Sequence, residues 1–154
     1  MTVIAVKDGV MATDTRYRSG SMHGRLLPGT SKIRRLADGS VMGGAGDLHD
    51  VLLMQEWMMA GMPEPRPEFI GQPEKDNSLI VVWAKTDGSI WSADMDEKLI
   101  FRQRQTPVLA SGEFGAAMFV EGAMAAGASA QEAVRLAIGC CVSVGGDVHT
   151  LKIG

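Results

Sequence analysis

The stretch Val3-Ile4-Ala5-Val6-Lys7-Asp8-Gly9-Val10-Met11-Ala12-Thr13 decides the fold. β-Branched and apolar residues on both sides of Asp8-Gly9 read as two strands joined by a tight turn, because the Asp-Gly pair tolerates the positive φ that short hairpin loops require. The chain opens on an antiparallel hairpin.

Working outward, the same signal recurs twice. A polar, glycine-punctuated arm from Arg16 to Gly29 leads into Lys32-Ile33-Arg34-Arg35-Leu36, which Asp38-Gly39 turns back into Ser40-Val41-Met42. Ser78-Leu79-Ile80-Val81-Val82-Trp83 and Ser89-Ile90-Trp91-Ser92-Ala93 flank Asp87-Gly88, and the unbroken apolar run predicts a central strand covered on both faces. Further strands are expected through Val108-Leu109-Ala110 and from Val148 to Ile153. Between Asp47 and Met62, Leu48, Val51, Leu52, Leu53, Trp57, Met58 and Met59 recur at steps of three and four, which predicts a helix ended by Gly61 and Pro63. Pro63-Glu64-Pro65-Arg66-Pro67 continues as a loop, since each proline lacks an amide donor and restricts the residue before it. Two more helices are expected over Phe114 to Ala126 and Ala130 to Cys141; Ser129 with Glu132 three residues on is a capping-box signature for the second. Hairpins, a helix, a hairpin, a helix pair and a last strand predict an α+β fold of antiparallel sheets with helices segregated outside them.

The 154 residues give room for one domain, 1–154, and an apolar share of 45% is ordinary for a soluble globular chain. A net charge of -3 supplies no basic field for a phosphate backbone, so nucleic acid is not an expected partner. No stretch approaches the length of a membrane span and no signal peptide precedes the first strand, which predicts a soluble, cytoplasmic protein. The adjacent Cys140 and Cys141 cannot bridge one another without strain and read as buried thiols in a reducing compartment. His23, His49 and His149 lack metal-ligand spacing, and the glycine-rich stretches match neither dinucleotide nor phosphate-loop patterns, so neither metal nor cofactor is expected. The run Met54, Trp57, Met58, Met59 and Met62 reads as core or as an oligomer interface; on an outer helix it would suit ring packing.

Four pieces in this order carry a resemblance: a threonine directly behind Met1, Thr13-Asp14-Thr15-Arg16 after the first hairpin, Ser31-Lys32-Ile33-Arg34-Arg35-Leu36, and the cluster Gly43-Gly44-Ala45-Gly46 opening the first helix. Together they resemble the N-terminal nucleophile hydrolases of the proteasome β-subunit and HslV family. Ala110-Ser111-Gly112 and Val148-His149-Thr150-Leu151 extend the likeness across nearly the whole chain. The resemblance implies a four-layer α/β/β/α sandwich, shortened here, and a threonine-type peptidase whose first residue is both nucleophile, through its hydroxyl, and general base, through its free α-amine.

In this chain that residue would be Thr2, exposed once methionine aminopeptidase removes Met1. The hairpin supports this register over one that puts Met1 at the nucleophile position: Thr2 stands six residues before Asp8 and Asp14 five after Gly9, so both arms are shortened equally and every side chain keeps its face. By the same resemblance, Lys32 is the lysine whose ammonium favours the alkoxide, with Asp14 as its acidic partner. Taken alone, a lysine in such a strand is a solvated surface residue. Gly46 matches the glycine whose amide donates to the oxyanion, with Gly44 as a rival, and Asp50 matches a helical aspartate that follows. The plain reading of Gly46-Asp47 is a tight strand-to-helix connection capped by Asp47. Ser111 resembles the serine that supports the terminal amine, and serves equally as a turn or cap residue. Where proteasome subunits carry an aspartate and a serine ahead of a Gly-Gly pair, Cys141 and Val144 precede Gly145-Gly146; HslV-like proteins also lack that pair.

The resemblance further implies homo-oligomeric rings of six or seven subunits, stacked, and an AAA+ unfoldase that feeds them unfolded polypeptide. Two alternatives stand beside it. A catalytically inactive subunit of the same fold would serve as an assembly or phage virion component, and would retain Met1, whose presence acylates the amine needed as base. A small-amide amidohydrolase is the other.

Overall fold

The computed structural model describes residues 1–19, 22–25, 30–71 and 78–154. The opening hairpin pairs β1 (Val3–Lys7) with β2 (Val10–Asp14) through Asp8 and Gly9, whose φ values of 50° and 73° are those of a two-residue hairpin turn. The expected arm begins with a hairpin of its own, β3 (Arg16–Ser19) on β4 (Met22–Arg25), while residues 20–21 and 26–29 lie outside the described set.

The second and third hairpins are built alike. Between β5 (Ile33–Arg35) and β6 (Val41–Ala45), Leu36 and Ser40 close a three-residue loop; between β7 (Ile80–Ala84) and β8 (Ile90–Asp94), Lys85 and Ser89 do the same. In each loop the aspartate side chain, Asp38 or Asp87, accepts from the amide and hydroxyl of the serine two residues on. Those bonds hold both carboxyls below the usual carboxylate range. Each serine also receives an indole N–H, Trp83 on Ser40 and Trp91 on Ser89. Gly43 and Gly44 belong to β6 rather than opening the helix. Helix α1 (Leu48–Met59) begins after the cap Asp47, whose side chain accepts from the His49 amide, and it ends before Gly61 and Met62, both at positive φ.

After a 3₁₀ turn (Met95–Glu97) come the exposed strand β9 (Arg102–Arg104), β10 (Leu109–Gly112), helices α2 (Phe114–Ala125) and α3 (Ala130–Cys140), and β11 (Val148–Lys152). The Ser129–Glu132 capping box is complete, with side chain and backbone bonded reciprocally. Beside the β3–β4 pair, two larger antiparallel sheets form among the described residues, one ordered β10-β1-β2-β11 and the other β5-β6-β7-β8-β9, so β7 is central as its apolar run predicts.

Strand alternation distributes the core. Val3, Ala5 and Ala12 pack against Ala116, Val120 and Val134 of α2 and α3. Ile4, Val6 and Met11 face the other way and meet Ile33, Val41 and Val82 of the second sheet. On that sheet's far side Met42 and Val81 pack with Val51, Met54 and Met58 of α1. The methionine run is thus mostly core, with Met59 exposed at its end. The cysteines depart from expectation: Cys140 is exposed and Cys141 half-buried, because α3 leaves its core face after Ala137. Among the described residues no helix is long and apolar enough to cross a membrane.

Candidate active site

The amino end of β1 enters the first sheet between β10 and β2, where Asp14 and Lys32 meet it. Thr2 is even-numbered, like Ile4 and Val6, so alternation turns it toward the second sheet. It is buried. Ser111 pairs with Ile4 across β10 and β1 and therefore shares that face. Met1, one residue earlier, has the opposite parity.

Lys32 approaches from the second sheet, just before β5. Only 4% of it is exposed, and its Nζ donates to Asp14 Oδ1 at 3.0 Å and to the Met1 carbonyl at 3.2 Å. Burial pushes this ammonium below the usual lysine range; Asp14 opposes the shift and Arg16 adds to it. Asp14 is fully buried, and its carboxylate also accepts the Val3 amide at 3.2 Å and the Gly145 amide at 3.2 Å. It ties together β1, β2, the Lys32 segment and the loop before β11. Thr13 reinforces the hairpin through a hydroxyl bond to the Val3 carbonyl at 2.8 Å.

The Lys32 segment is fixed on every side by groups that carry no signal in sequence. The Gly44 amide donates to the Lys32 carbonyl at 3.0 Å. Gln55, buried on α1, donates through Nε2 to the Ser31 carbonyl at 2.6 Å. Ser31 Oγ accepts the Ile33 amide and lies 2.6 Å from His149 Nδ1. Burial lowers the affinity of His149 for a proton, favouring the neutral imidazole. Among the described residues no group of three or more His, Cys, Asp or Glu side chains could hold a metal ion, and the His23 side chain lies outside them.

Gly46 follows β6 at φ +121°, where a Cβ would stand 2.6 Å from the Ser78 carbonyl oxygen, so only glycine fits this turn into Asp47. It is exposed. The rival, Gly44, has its amide engaged by Lys32. Asp50, buried in the first turn of α1, accepts the Ile70 and Gly71 amides at 2.9 and 2.7 Å. At the late positions where the proteasome pattern has polar residues, Val144 is buried in the apolar core and Cys141 packs against it.

Lys32, Asp14 and the amino end of β1 are therefore in direct contact, Ser111 lies on the same face, and Gly46 stands at the end of the strand that anchors Lys32. Neither a protein-family model nor a curated protein sequence matches the chain. Among solved structures, the crystal structure of eukaryotic HslV from Trypanosoma brucei is similar over 99% of this chain and 99% of its own, with a TM-score of 0.64 and 19% identity. This chain has an HslV-like, proteasome β-type fold.

Proposed function

We propose that this chain is a threonine-type peptidase subunit, active when Thr2 is its first residue. The observation that carries the reading is the position of Lys32 Nζ, held by buried Asp14 against the carbonyl that immediately precedes Thr2. When Met1 is removed that carbonyl leaves with it. One ammonium donor is then freed beside the new terminus, within a site that has already absorbed the desolvation of the charge.

In the proposed reaction Thr2 Oγ attacks a peptide carbonyl carbon while its proton passes to the α-amine of the same residue. The Gly46 amide donates to the oxygen that gains negative charge, the largest single contribution in many acyl transfers. Collapse breaks the peptide C–N bond, and the α-amine hands its proton to the departing amine. Water then attacks the Thr2 ester, again deprotonated by the α-amine, and restores the hydroxyl. Lys32 lowers the cost of the alkoxide, Asp14 positions Lys32, and Ser111 supports the amine. No cofactor enters these steps.

The three apolar clusters support a four-layer α/β/β/α arrangement in one domain, 1–154. The resemblance supports a cytoplasmic homo-oligomeric ring, hexameric or heptameric and stacked, receiving unfolded polypeptide from an AAA+ partner. Intact mass of the protein from its native host, followed by peptide hydrolysis with a Thr2→Ala control, tests the reading. A chain beginning at Thr2 with activity lost in Thr2→Ala is the expected result.

One observation favours a second reading, an inactive structural subunit: buried Val144 and half-buried Cys141 occupy the positions of the polar pair. A mature chain that keeps Met1 would establish it in place of the first.

A further inference from the structure

We infer that His149 is a positioning residue of the site: through the Ser31 hydroxyl its ring holds the segment that carries Lys32, and protonating the ring releases that hold. The inference rests on the reading of Lys32 as the group that acts on Thr2.

His149 reaches the site from the edge of the first sheet. On β11 it pairs with Thr13 of β2, which pairs in turn with Ile4 of β1, and Ile4 with Ser111 of β10. The four form one row across the sheet, and Ile4 and Leu151, which shares the parity of His149, pack toward the second sheet. Ser31 comes from the segment that leads into β5, one residue before Lys32, and its Oγ lies 2.6 Å from His149 Nδ1. That bond ties β11 to the lysine segment from the side opposite α1. Two backbone atoms of the segment are already held, the Ser31 carbonyl by Gln55 and the Lys32 carbonyl by the Gly44 amide. Ser31 Oγ holds a third, the Ile33 amide, at 3.2 Å.

The direction of the bond follows from these partners. Oγ accepts from Ile33, and among the described residues its own hydrogen has no acceptor other than Nδ1. The hydroxyl therefore donates, Nδ1 accepts, and the ring carries its proton on Nε2, an assignment drawn from the bonding network. Burial alone lowers the ring's affinity for a second proton. The charged groups on neighbouring elements are engaged elsewhere: Lys32 and Asp14 with each other, Arg34 with Gln55, Arg35 with the Gly154 carbonyl. Helix α3 meets the first sheet on its other face, through Ala130, Ala133, Val134 and Ala137. A proton arriving on Nδ1 turns the acceptor into a donor, so the hydroxyl hydrogen facing it loses its only described partner. The brace on the peptides flanking Lys32 weakens with it.

Wild type is compared with His149→Asn, whose side-chain oxygen accepts in place of Nδ1 without titrating, and with His149→Leu and Ser31→Ala. The first readout needs no turnover: protection of the Ile33 amide from hydrogen exchange, relative to its intrinsic rate, between about pH 5 and pH 8. Wild-type protection is expected to fall about tenfold as His149 takes up its proton, the equivalent of one hydrogen bond. His149→Asn should hold the high value throughout, and His149→Leu and Ser31→Ala the low one, with the amides of β7 unchanged as a control against general loosening. In the processed enzyme, kcat should fall through the same titration with KM little altered, and its acid limb should be steeper by one proton in wild type than in His149→Asn. Ile33 protection that is level with pH in wild type, or that falls equally in His149→Asn, overturns the inference, as do acid limbs of equal steepness. Inactivity of the processed wild type refutes the peptidase reading and leaves exchange to decide whether His149 holds the segment; an active enzyme with level protection refutes the role of His149 alone.

Discussion

Gln55 Nε2 donates to the Ser31 carbonyl at 2.6 Å from a side chain that is almost wholly buried, so the peptide next to Lys32 is pinned from α1 across the sheet. Gln55→Leu preserves bulk and removes the donor, leaving a buried carbonyl without it. A loss of about 1–3 kcal/mol in denaturant unfolding is expected. Because the pin acts on the segment that carries Lys32, peptide hydrolysis by the processed protein should fall in kcat more than it changes KM.

Lys32 makes a signed prediction about alkaline stability. Its folded-state proton affinity lies below the unfolded value, so between the two the unfolded chain binds the extra proton and stability rises with pH. The window ends near the ordinary lysine value of 10.5. In urea titrations across the alkaline range, wild type should gain stability relative to Lys32→Met, which lacks this titration. A parallel pair of curves would contradict it. Lys32→Met itself should cost on the order of 3 kcal/mol at neutral pH, since it strips a buried carboxylate of its cation.

Gly112→Ala tests the seat of residue 2. The added methyl meets the Thr2 carbonyl and the residue must hold φ +115°, so either strand β10 or the start of β1 shifts. The expected outcome is a loss of about 1–3 kcal/mol, with hydrogen exchange accelerated at the Val3 and Glu113 amides before the rest of the sheet.

Asp50 anchors the segment after the prolines. Asp50→Ala removes the acceptor of both the Ile70 and Gly71 amides. Limited proteolysis should then cut between residues 63 and 71 at a protease concentration that leaves wild type intact, while the Lys32–Asp14 pair, which shares no bond with Asp50, is undisturbed.

Much of this fold was legible because the deciding signals are local. Asp-Gly pairs sit at the turns of β1–β2, β5–β6 and β7–β8, and Ser129–Glu132 opens α3, each through bonds made within a few residues. Of the missed strands, Arg102-Gln103-Arg104 is exposed throughout, and among the described residues β3 and β4 pair only with each other. Asp14 and Lys32, which the resemblance grouped with Thr2, do meet at the start of β1. Gln55 and His149 were not legible, since their contacts join residues 24 and 118 apart and no periodicity encodes them. The cysteines were misjudged on residue type, which ignores where α3 turns away from the core.

The two ends of the polypeptide lie at opposite poles. The Met1 carbonyl accepts from the Lys32 ammonium, whereas Ile153 and Gly154 donate to the Gly9 and Gly39 carbonyls at the turn ends of the hairpins, a full length of β1 away, about 17 Å. For anyone purifying or immobilising the protein, this makes the poles unequal: an affinity handle at Gly154 lies far from the Lys32–Asp14 pair, while one fused ahead of Thr2 runs directly past it.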